Sequence, residues 1–272
     1  MLPYLERCAA SINDQENVET EHIVVDGAST DGTVEWLSRQ PHIKSISEKD
    51  KGMYDAVNKG LRMANGDILA YLNCDEQYLP GALAVVKNYF ESHPSVDILF
   101  GDALLIRPDG SLIAYRKGYR PHWFYILASH LYVLSCTMFF RKKIIEDGFF
   151  FDTRYRAVGD ADFVVRLLRN GYHAKHIKRY FSAFAMTGKN LSNDALGIEE
   201  QKQLLRSAPV YLRICKPILN VFRLAGKFFS GAYFQKWPLE YSVYIYDNAM
   251  ENQQNQRKTF HVSNASFRWH FE

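Results

Sequence analysis

Two short apolar runs in this chain each end abruptly at carboxylates. The first covers residues 22–25 and stops at Asp26, and the second covers residues 67–72 and stops just before Asp75. Helical patterns separate such runs through the first hundred residues, which predicts an α/β fold with a mixed, mainly parallel sheet flanked by helices. In open α/β sheets, ligands bind where the strands reach their carboxyl edge. Acids at two of these edges can hold a divalent cation and, through it, a diphosphate.

Composition limits the class of protein. The chain has 272 residues, of which 47% are hydrophobic, so one large domain or one domain with an appendage can build a substantial core. Its four cysteines are widely spaced without a Cys-x-x-Cys pair, which argues against a structural zinc site and fits a reducing compartment. Residues 1–7 lack the long apolar run of a signal peptide. We therefore expect a cytoplasmic protein.

Positive charge is concentrated in one segment. The formal net charge is +3, yet residues 201–236 contain seven Lys or Arg and no Asp or Glu. The remainder is acidic and would repel phosphate, which argues against a nucleic-acid partner. Apolar and aromatic residues lie among these cations at 218–229, and this mixture suits an anionic membrane surface. The alternative is a helix that packs its apolar side on the rest of the protein.

The periodicity divides the chain into two parts. Residues 1–192 carry the strand and helix patterns, including a predicted hairpin over 96–106 and 111–116. From residue 193 to residue 272 the pattern predicts a basic, helical C-terminal extension. The residues after Tyr246 are polar and predict a loosely ordered tail.

A loop between the two acidic strand ends adds candidate ligand contacts. Residues 48–60 run from a charged turn through Gly52 into a predicted helix. Glycine permits a close backbone approach, and the N-terminus of a helix favours a phosphate. Hard oxygen ligands, such as the carboxylates at residues 73–76, select Mg²⁺ or Mn²⁺. The alternatives are an ordinary turn at residues 26–33, a charged surface helix after Gly52 and a solvated loop at residues 73–76.

Together these segments resemble the family 2 glycosyltransferases of the GT-A fold. The matching stretches are residues 25–33, 51–60, 64–76, 139–141, 159–163 and 184–192. The resemblance implies an inverting, metal-dependent transferase that moves a sugar from a nucleotide-diphosphate sugar, with a UDP-sugar favoured, to a glycan or lipid-linked acceptor. It implies a nucleotide-sugar-binding part over 1–106 and an acceptor part over 107–192. Envelope polysaccharide synthesis in a bacterium, at the inner face of the cell membrane, is the implied setting.

The resemblance also implies roles for individual residues. Asp26 is expected beside the base and ribose of the nucleotide, and Asp75 is expected to bind Mg²⁺ or Mn²⁺, with Glu76 as a further candidate for the metal. Asp160 matches the general base that takes the acceptor proton, with Asp162 as its alternative. A helix N-cap is the structural alternative for Asp160. The other expected donor-binding residues are Ser29, Asp31, Lys51, Gly52, Asp55, Asn58, Asn73 and Cys74.

One departure from the family pattern affects the expected sheet. Family members begin with a β-strand at the centre of the sheet, and this sequence begins after it, so we expect the first strand to be missing. Its loss would leave the neighbouring edges unpaired and open the donor pocket. A truncated, non-catalytic GT-A-like binding or scaffold protein is therefore the alternative function. A nucleotidyltransferase is a second alternative, but that class usually opens with a glycine-rich loop, and this sequence has none.

Overall fold

Strands and helices alternate along the first third of the chain, as the sequence predicts. The computed structural model describes residues 1–188, 195–246 and 255–265. The elements up to residue 92 are α1 (Leu2–Asn13), β1 (His22–Asp26), α2 (Thr33–Leu37), β2 (Ile43–Ser47), α3 (Met53–Met63), β3 (Ile68–Ala70), β4 (Glu76–Tyr78) and α4 (Ala82–Ser92). The sequence does not predict β4, because two of its three residues are polar. All three are nevertheless buried in the structure.

The middle of the chain supplies the central strands and the helix that carries Asp160. Its elements are β5 (Ile98–Ile106), β6 (Leu112–Arg116), α5 (Trp123–Ala128), β7 (Phe139–Arg141), α6 (Lys143–Glu146), α7 (Gly159–Arg169) and β8 (Ala174–Ala185). The predicted hairpin is confirmed, because β5 and β6 pair in antiparallel fashion. Gly110 lies in their turn with φ +85°, a left-handed backbone conformation that favours glycine.

The main sheet is mixed and has the strand order β3-β7-β5-β8-β4, with β6 added to β5. The neighbours β5 and β8 are parallel, and β7 runs antiparallel to both β3 and β5, so β3, β5 and β8 share one direction. The central strand β5 is buried along its whole length. Ile98, Phe140 and Phe163 are completely buried in the largest apolar cluster, which packs α7 against the sheet.

A gap separates the main sheet from the two-stranded parallel sheet of β1 and β2. Among the described residues β1 pairs only with β2, and β3 pairs only with β7, so each presents one open edge. A cavity of about 1400 Å³ lies between these edges and is lined by residues 22–26 and 67–74. Further lining residues come from α1, α3 and α4, among them Cys8, Val57 and Val86. This space, whose lining mixes apolar and charged side chains, is called the β1–β3 slot below.

The C-terminal segment begins as the expected helical extension. Three helices follow one another: α8 (Ala195–Arg206), α9 (Val210–Ile214) and α10 (Lys216–Phe229). The apolar side chains Leu204, Ala208 and Leu212 of α8, α9 and their connection are buried in the largest cluster. In contrast, no residue of α10 is buried. None of the described helices is long and apolar enough to cross a membrane.

The last described elements form an antiparallel hairpin of β9 (Leu239–Tyr246) and β10 (Asn255–Val262). The loosely ordered tail expected after Tyr246 is therefore wrong for Asn255–Val262, because backbone pairing with β9 orders this polar strand. Alternate residues of β9 enter an apolar cluster with Leu104 and Ile106 of the main sheet. Two side chains attach the hairpin further: Gln77 exchanges two hydrogen bonds with the backbone of Tyr244, and the Tyr241 hydroxyl donates to the Gly110 carbonyl.

Candidate active site

Asp26 ends β1 at the carboxyl edge of the small sheet. Its carboxylate accepts a hydrogen bond from the Ser29 backbone N–H at 2.9 Å and from the Ser47 hydroxyl at 2.6 Å. Ser47 is the partner of Asp26 in the parallel ladder between β1 and β2. Burial by itself raises the pKa of Asp26, but the hydrogen bonds from Ser29 and Ser47 outweigh it and hold the pKa below its ordinary value. An ionised, fixed acceptor therefore stands at this edge.

The first acidic turn and the second loop contact each other through Asp50. A Cβ atom on Gly27 would lie 2.7 Å from an Asp50 carboxylate oxygen, so the two loops meet closely at a glycine. The other Asp50 oxygen accepts the Gly52 N–H at 2.8 Å. Ser29, which the resemblance implies as a donor-binding residue, is exposed in this turn. Asp31 accepts the Thr33 hydroxyl at 2.6 Å and pairs with the N-terminal amine, so it lies beside the start of α2.

Gly52 precedes α3 with φ +126°, a conformation that an L side chain rarely adopts. A Cβ atom there would also lie 2.7 Å from Nη1 of Arg156, so an exposed guanidinium lies against the loop. The Lys51 N–H donates to the Asp55 carboxylate at 3.0 Å, and Asp55 forms an ion pair with Lys59 at 3.6 Å. The Arg156 guanidinium and the start of α3 thus lie beside one loop, an arrangement suited to a phosphate.

Asn58, an expected donor contact, bonds to the backbone of Phe151 in this structure. The side chain is 3% exposed and bonds at both ends to one residue, donating to the Phe151 carbonyl at 2.8 Å and accepting the Phe151 N–H at 2.9 Å. A buried amide in this position satisfies backbone groups that would otherwise lack partners. Asn58 therefore joins α3 to the segment before α7 and is not available to a ligand.

Glu76 holds the second acidic segment, residues 73–76, in place through its bonds to Asn73. The Glu76 carboxyl accepts the Asn73 backbone N–H at 2.7 Å and lies 3.3 Å from the Asn73 side-chain amide. Burial, followed by the charge of Asp75, raises the pKa of Glu76 to about 8, although the bonds from Asn73 oppose the shift. The Cys74 side chain packs against the apolar cluster of α1 and α2, and burial raises its pKa to about 11. Asp75 is partly exposed in the turn between β3 and β4, directly before Glu76.

Asp160 lies in the first turn of α7 and faces Tyr54 of α3. The Tyr54 hydroxyl is 3.4 Å from the Asp160 carboxylate and accepts the Asp160 N–H at 3.2 Å. The helix N-cap is Val158, so Asp160 is not the capping residue. Burial raises the pKa of Asp160 to about 6, near the value that suits a base at neutral pH. Asp162, the alternative base, is held in an ion pair with Arg166 at 2.7 Å.

The carboxyl groups of the second acidic segment interact electrostatically with Asp160 of α7. The charges of Asp75 and Asp160 both act on Glu76 and raise its pKa, which places the three carboxyl groups in one neighbourhood. Across residues 1–188, 195–246 and 255–265, no three His, Cys, Asp or Glu side chains are grouped for metal binding. A cation here would take one carboxylate from Asp75 and its remaining oxygens from a diphosphate, which is how Mg²⁺ is commonly bound at substrate phosphates. The oxygen donors present fit that arrangement.

Three residues that the sequence did not single out complete the site. Tyr54 lies inside the second loop motif, and its place two residues after Gly52 was the available signal. Arg156 and Glu200 carry no sequence signal of their own. Glu200 lies on α8 and accepts hydrogen bonds from the backbone that leads to Asp160. The part of the resembling segment at 189–192 lies outside the described residues.

Sequence relatives cover most of this chain. The family model described as "Glycosyl transferase family 2" matches residues 2–149, more than half of the chain. The "PGL/p-HBAD biosynthesis glycosyltransferase" of Mycobacterium bovis is 26% identical over 220 residues, covering 77% of this chain and 82% of that protein. The "Hyaluronan synthase" of Pasteurella multocida is 25% identical over 211 residues, covering 74% of this chain. The match spans only 21% of that synthase.

Solved structures share the fold. TarS of S. aureus in complex with UDP-GlcNAc superposes with a TM-score of 0.61 at 17% identity, over 84% of this chain and 69% of that chain. The mannosyltransferase PcManGT from Pyrobaculum calidifontis, in complex with GDP-Man and Mn²⁺, gives a TM-score of 0.53 at 17% identity, over 87% of this chain and 73% of that chain. The expected GT-A fold is therefore confirmed. The chain belongs to glycosyl transferase family 2 and is a glycosyltransferase.

Proposed function

We propose that this glycosyltransferase moves a sugar from a nucleotide-diphosphate sugar with inversion at the anomeric carbon. The observation that carries the proposal is the contact of Tyr54 with Asp160, which joins the loop suited to phosphate to a partly buried carboxylate with a raised pKa. Asp26 is the proposed partner of the nucleoside, and Ser29, Lys51 and Gly52 line its path toward the diphosphate. A UDP-sugar is favoured, since TarS in the same fold binds UDP-GlcNAc.

Asp75, with the Asn73 amide beside it, is the proposed holder of Mg²⁺ or Mn²⁺. A bound cation supplies positive charge where negative charge develops on the leaving diphosphate. Glu76 is buried and bonded to Asn73, so we propose that it positions Asn73 and does not bind the metal. Lys51 and Arg156 add cationic charge from the protein at the same leaving group.

Asp160 is the proposed general base. When ionised, its carboxylate takes the proton from the acceptor hydroxyl, whose oxygen then attacks the anomeric carbon while the diphosphate leaves. Single displacement inverts the configuration at that carbon. Asp162 is less suited to this role because Arg166 already neutralises it. Residues 1–106 form the donor part and residues 107–192 the acceptor part in this proposal, with residues 193–272 as an extension.

The proposed acceptor is a glycan or a lipid-linked saccharide used in envelope polysaccharide synthesis. Of the relatives described above, one is named a hyaluronan synthase and the other a biosynthesis glycosyltransferase. A lipid-linked acceptor places the enzyme at the inner face of the membrane, and α9 and α10 offer a surface for it. Large apolar side chains of the two helices are exposed, namely Val210, Tyr211, Ile214, Ile218, Val221, Phe222, Leu224, Phe228 and Phe229.

Two faces of α10 differ in what they contact. Leu219 packs on the largest apolar cluster, and the Arg223 carbonyl accepts the Tyr119 hydroxyl at 3.0 Å, so one face rests on the domain. Phe222 and Phe229, seven residues apart on α10, flank this contact and are exposed, Phe229 by 85%. Seven cations and no acid occur in residues 201–236, which complements an anionic lipid surface. We therefore propose that this face of α9 and α10, the α10 face, rests on the membrane.

Vesicle sedimentation tests the α10 face. We expect the protein to sediment with phosphatidylglycerol vesicles and not with phosphatidylcholine vesicles, and the double variant Phe222→Ser/Phe229→Ser to lose most of that association. Lys87→Glu on α4 changes an exposed charge elsewhere and serves as the control. Equal sedimentation of the double variant and the wild type would remove the membrane surface from the proposal.

Donor turnover tests the catalytic proposal. Purified protein is incubated with UDP-GlcNAc or GDP-mannose and Mn²⁺, with water as the acceptor, and the released nucleoside diphosphate is measured beside donor binding by calorimetry. Asp160→Asn should retain donor binding and lose transfer by about 10²-fold or more. Asp75→Ala should lose Mn²⁺-dependent binding, and the surface variant Asp147→Asn should behave as wild type. A protein that binds no nucleotide sugar, with Asp75→Ala unchanged, would favour the non-catalytic alternative.

A further inference from the structure

Glu200 of the C-terminal extension reaches the segment that precedes Asp160. Its two carboxylate oxygens accept three consecutive backbone N–H groups, from Arg156 at 2.7 Å, Ala157 at 2.8 Å and Val158 at 3.2 Å. Glu200 is only 6% exposed. Three donors converging on one buried carboxylate form strong, charge-assisted hydrogen bonds. Without the carboxylate, these amides would be left without partners.

The same segment is held on its other side by Tyr54. The Tyr54 hydroxyl lies 3.3 Å from the Ala157 carbonyl, and a Cβ atom on Gly159 would come within 2.6 Å of the Tyr54 ring. The backbone at 156–160 is therefore enclosed between α3 and α8. Its position fixes where α7 begins and, with it, where the Asp160 carboxylate points.

The helix that carries Glu200 is itself fixed. Leu204 is 2% exposed in the largest apolar cluster, and the Gln201 side chain donates to the Ser129 carbonyl at 2.9 Å. The residue before Glu200, Glu199, is exposed and pairs with Lys202 at 3.6 Å on the surface. Two adjacent glutamates on one helix thus have opposite environments, and only Glu200 contacts the segment before α7.

We propose that Glu200 is a positioning residue for sugar transfer, which holds Asp160 and the Arg156 guanidinium at the donor loop. The inference rests on the proposed function, in which Asp160 is the base. It makes the C-terminal extension part of the catalytic machinery, because the helix of the extension determines the geometry of the base. A misplacement of about 1 Å can cost on the order of 100-fold in rate.

The test compares Glu200→Gln with the matched control Glu199→Gln. Turnover is measured as UDP released from UDP-GlcNAc with Mn²⁺ across a range of pH, and amide hydrogen exchange is measured on the peptide 155–163. A glutamine offers only one acceptor oxygen for the three amides, so we expect kcat to fall about 10- to 100-fold with KM for the donor almost unchanged. Exchange in 155–163 should accelerate while the core peptide 98–106 stays protected.

The pH profile separates positioning from a general loss of folded enzyme. A loosened segment admits water to Asp160, so its pKa should fall toward the ordinary value and the acidic limb of kcat should move to lower pH. A loss of folded protein would scale the whole profile without moving the limb. Unchanged kcat or unchanged exchange at 155–163 in Glu200→Gln would overturn the inference. Asp160→Asn, measured in parallel, reports on the base itself. If that variant keeps transfer, the proposed function fails. The exchange data still show in that case whether Glu200 holds the segment 155–163.

Discussion

The Tyr54 hydroxyl lies 3.4 Å from the carboxylate of Asp160 and accepts the backbone N–H of the same residue at 3.2 Å. Tyr54 is in the first turn of the helix that follows the donor loop, and Asp160 is in the first turn of the helix at the acceptor side. A single buried side chain therefore couples the two halves of the proposed reaction. A displacement of the donor loop would be transmitted directly to the proposed base.

Removal of this hydroxyl should change the pH dependence of transfer. The Tyr54 hydrogen bond lowers the pKa of Asp160 against the larger effect of burial, so Tyr54→Phe should raise that pKa above about 6. The base works only when ionised, so the acidic limb of kcat should move to higher pH. Loss of one hydrogen bond of about 1 kcal/mol predicts a fall of about fivefold in kcat on the acidic limb, where Asp160 is mostly protonated, and of less than about twofold at neutral pH. Tyr172→Phe, whose hydroxyl bonds to the surface residue Asp147, is the control. A limb that stays in place would contradict the coupling.

Asn58→Ala should lower stability and leave the donor site intact. The substitution leaves the buried N–H and C=O of Phe151 without their partners, at a cost of about 1–3 kcal/mol for each group. We expect a loss of roughly 2–4 kcal/mol in the free energy of unfolding, measured by urea denaturation. The exposed Asn88→Ala on α4 should change little. Weakened donor binding by Asn58→Ala under conditions where the protein is fully folded would restore Asn58 to the site.

Glu76 should make the protein less stable as the pH rises. Its pKa is about 8 in the folded state and near 4.5 in the unfolded state, so the folded protein binds more protons between these values. The free energy of unfolding should therefore fall with rising pH across this window, by up to about 1.4 kcal/mol per pH unit. Glu76→Gln should flatten this dependence in urea titrations at pH 5 and pH 8, and the exposed Glu91→Gln should not. Parallel curves for Glu76→Gln and wild type would show that Glu76 stays ionised.

The β1–β3 slot should accept an added strand. Leu2, the first residue of α1, lies beside the turn that follows β1, and its N–H donates to Asp31 in that turn at 3.2 Å. A strand fused ahead of Leu2 would therefore end at the same sheet edge as β1. Five apolar residues in the slot would bury apolar surface and pair two open strand edges. We expect a gain of roughly 2–4 kcal/mol in the free energy of unfolding, after the cost of ordering the added residues. A fusion of equal length built from Gly and Ser is the control, and an equal gain from both fusions would contradict the prediction.

The sequence predicts the elements that follow a simple period or a strong turn signal. The alternation through residue 92 and the β5–β6 hairpin are both confirmed, because apolar spacing and Gly110 specify them locally. The hairpin of β9 and β10 shows the limit of that approach. Apolar residues alternate in β9 as in a strand, at Leu239, Tyr241, Val243 and Ile245. The basic helical pattern before them and the polar residues after them nevertheless favour a helical extension with a loose tail in a prediction from sequence.

The site shows a similar division between local and long-range determinants. Residues at strand ends and loop starts, such as Asp26 and Asp160, can be read from their neighbours in sequence. The role of Asn58 depends on Phe151, 93 residues away, and no local pattern indicates that contact. Glu200 likewise meets residues 42 to 44 positions earlier in the chain. Contacts of this kind follow from how the elements pack, so they become visible only in three dimensions.

The C-terminal hairpin has a consequence for the biosynthesis of the protein. The two hydrogen bonds of Gln77 can form only after Tyr244, 167 residues later, has been synthesised. The hydrogen bond between Asp14 and Arg257 likewise requires the synthesis of Arg257. At an elongation rate of about 5–20 residues per second, the first of these delays is roughly 8–33 s. During that time the ribosome-bound chain presents the apolar surface that β9 later covers. The nascent chain is therefore a natural client for a chaperone until β9 has been synthesised.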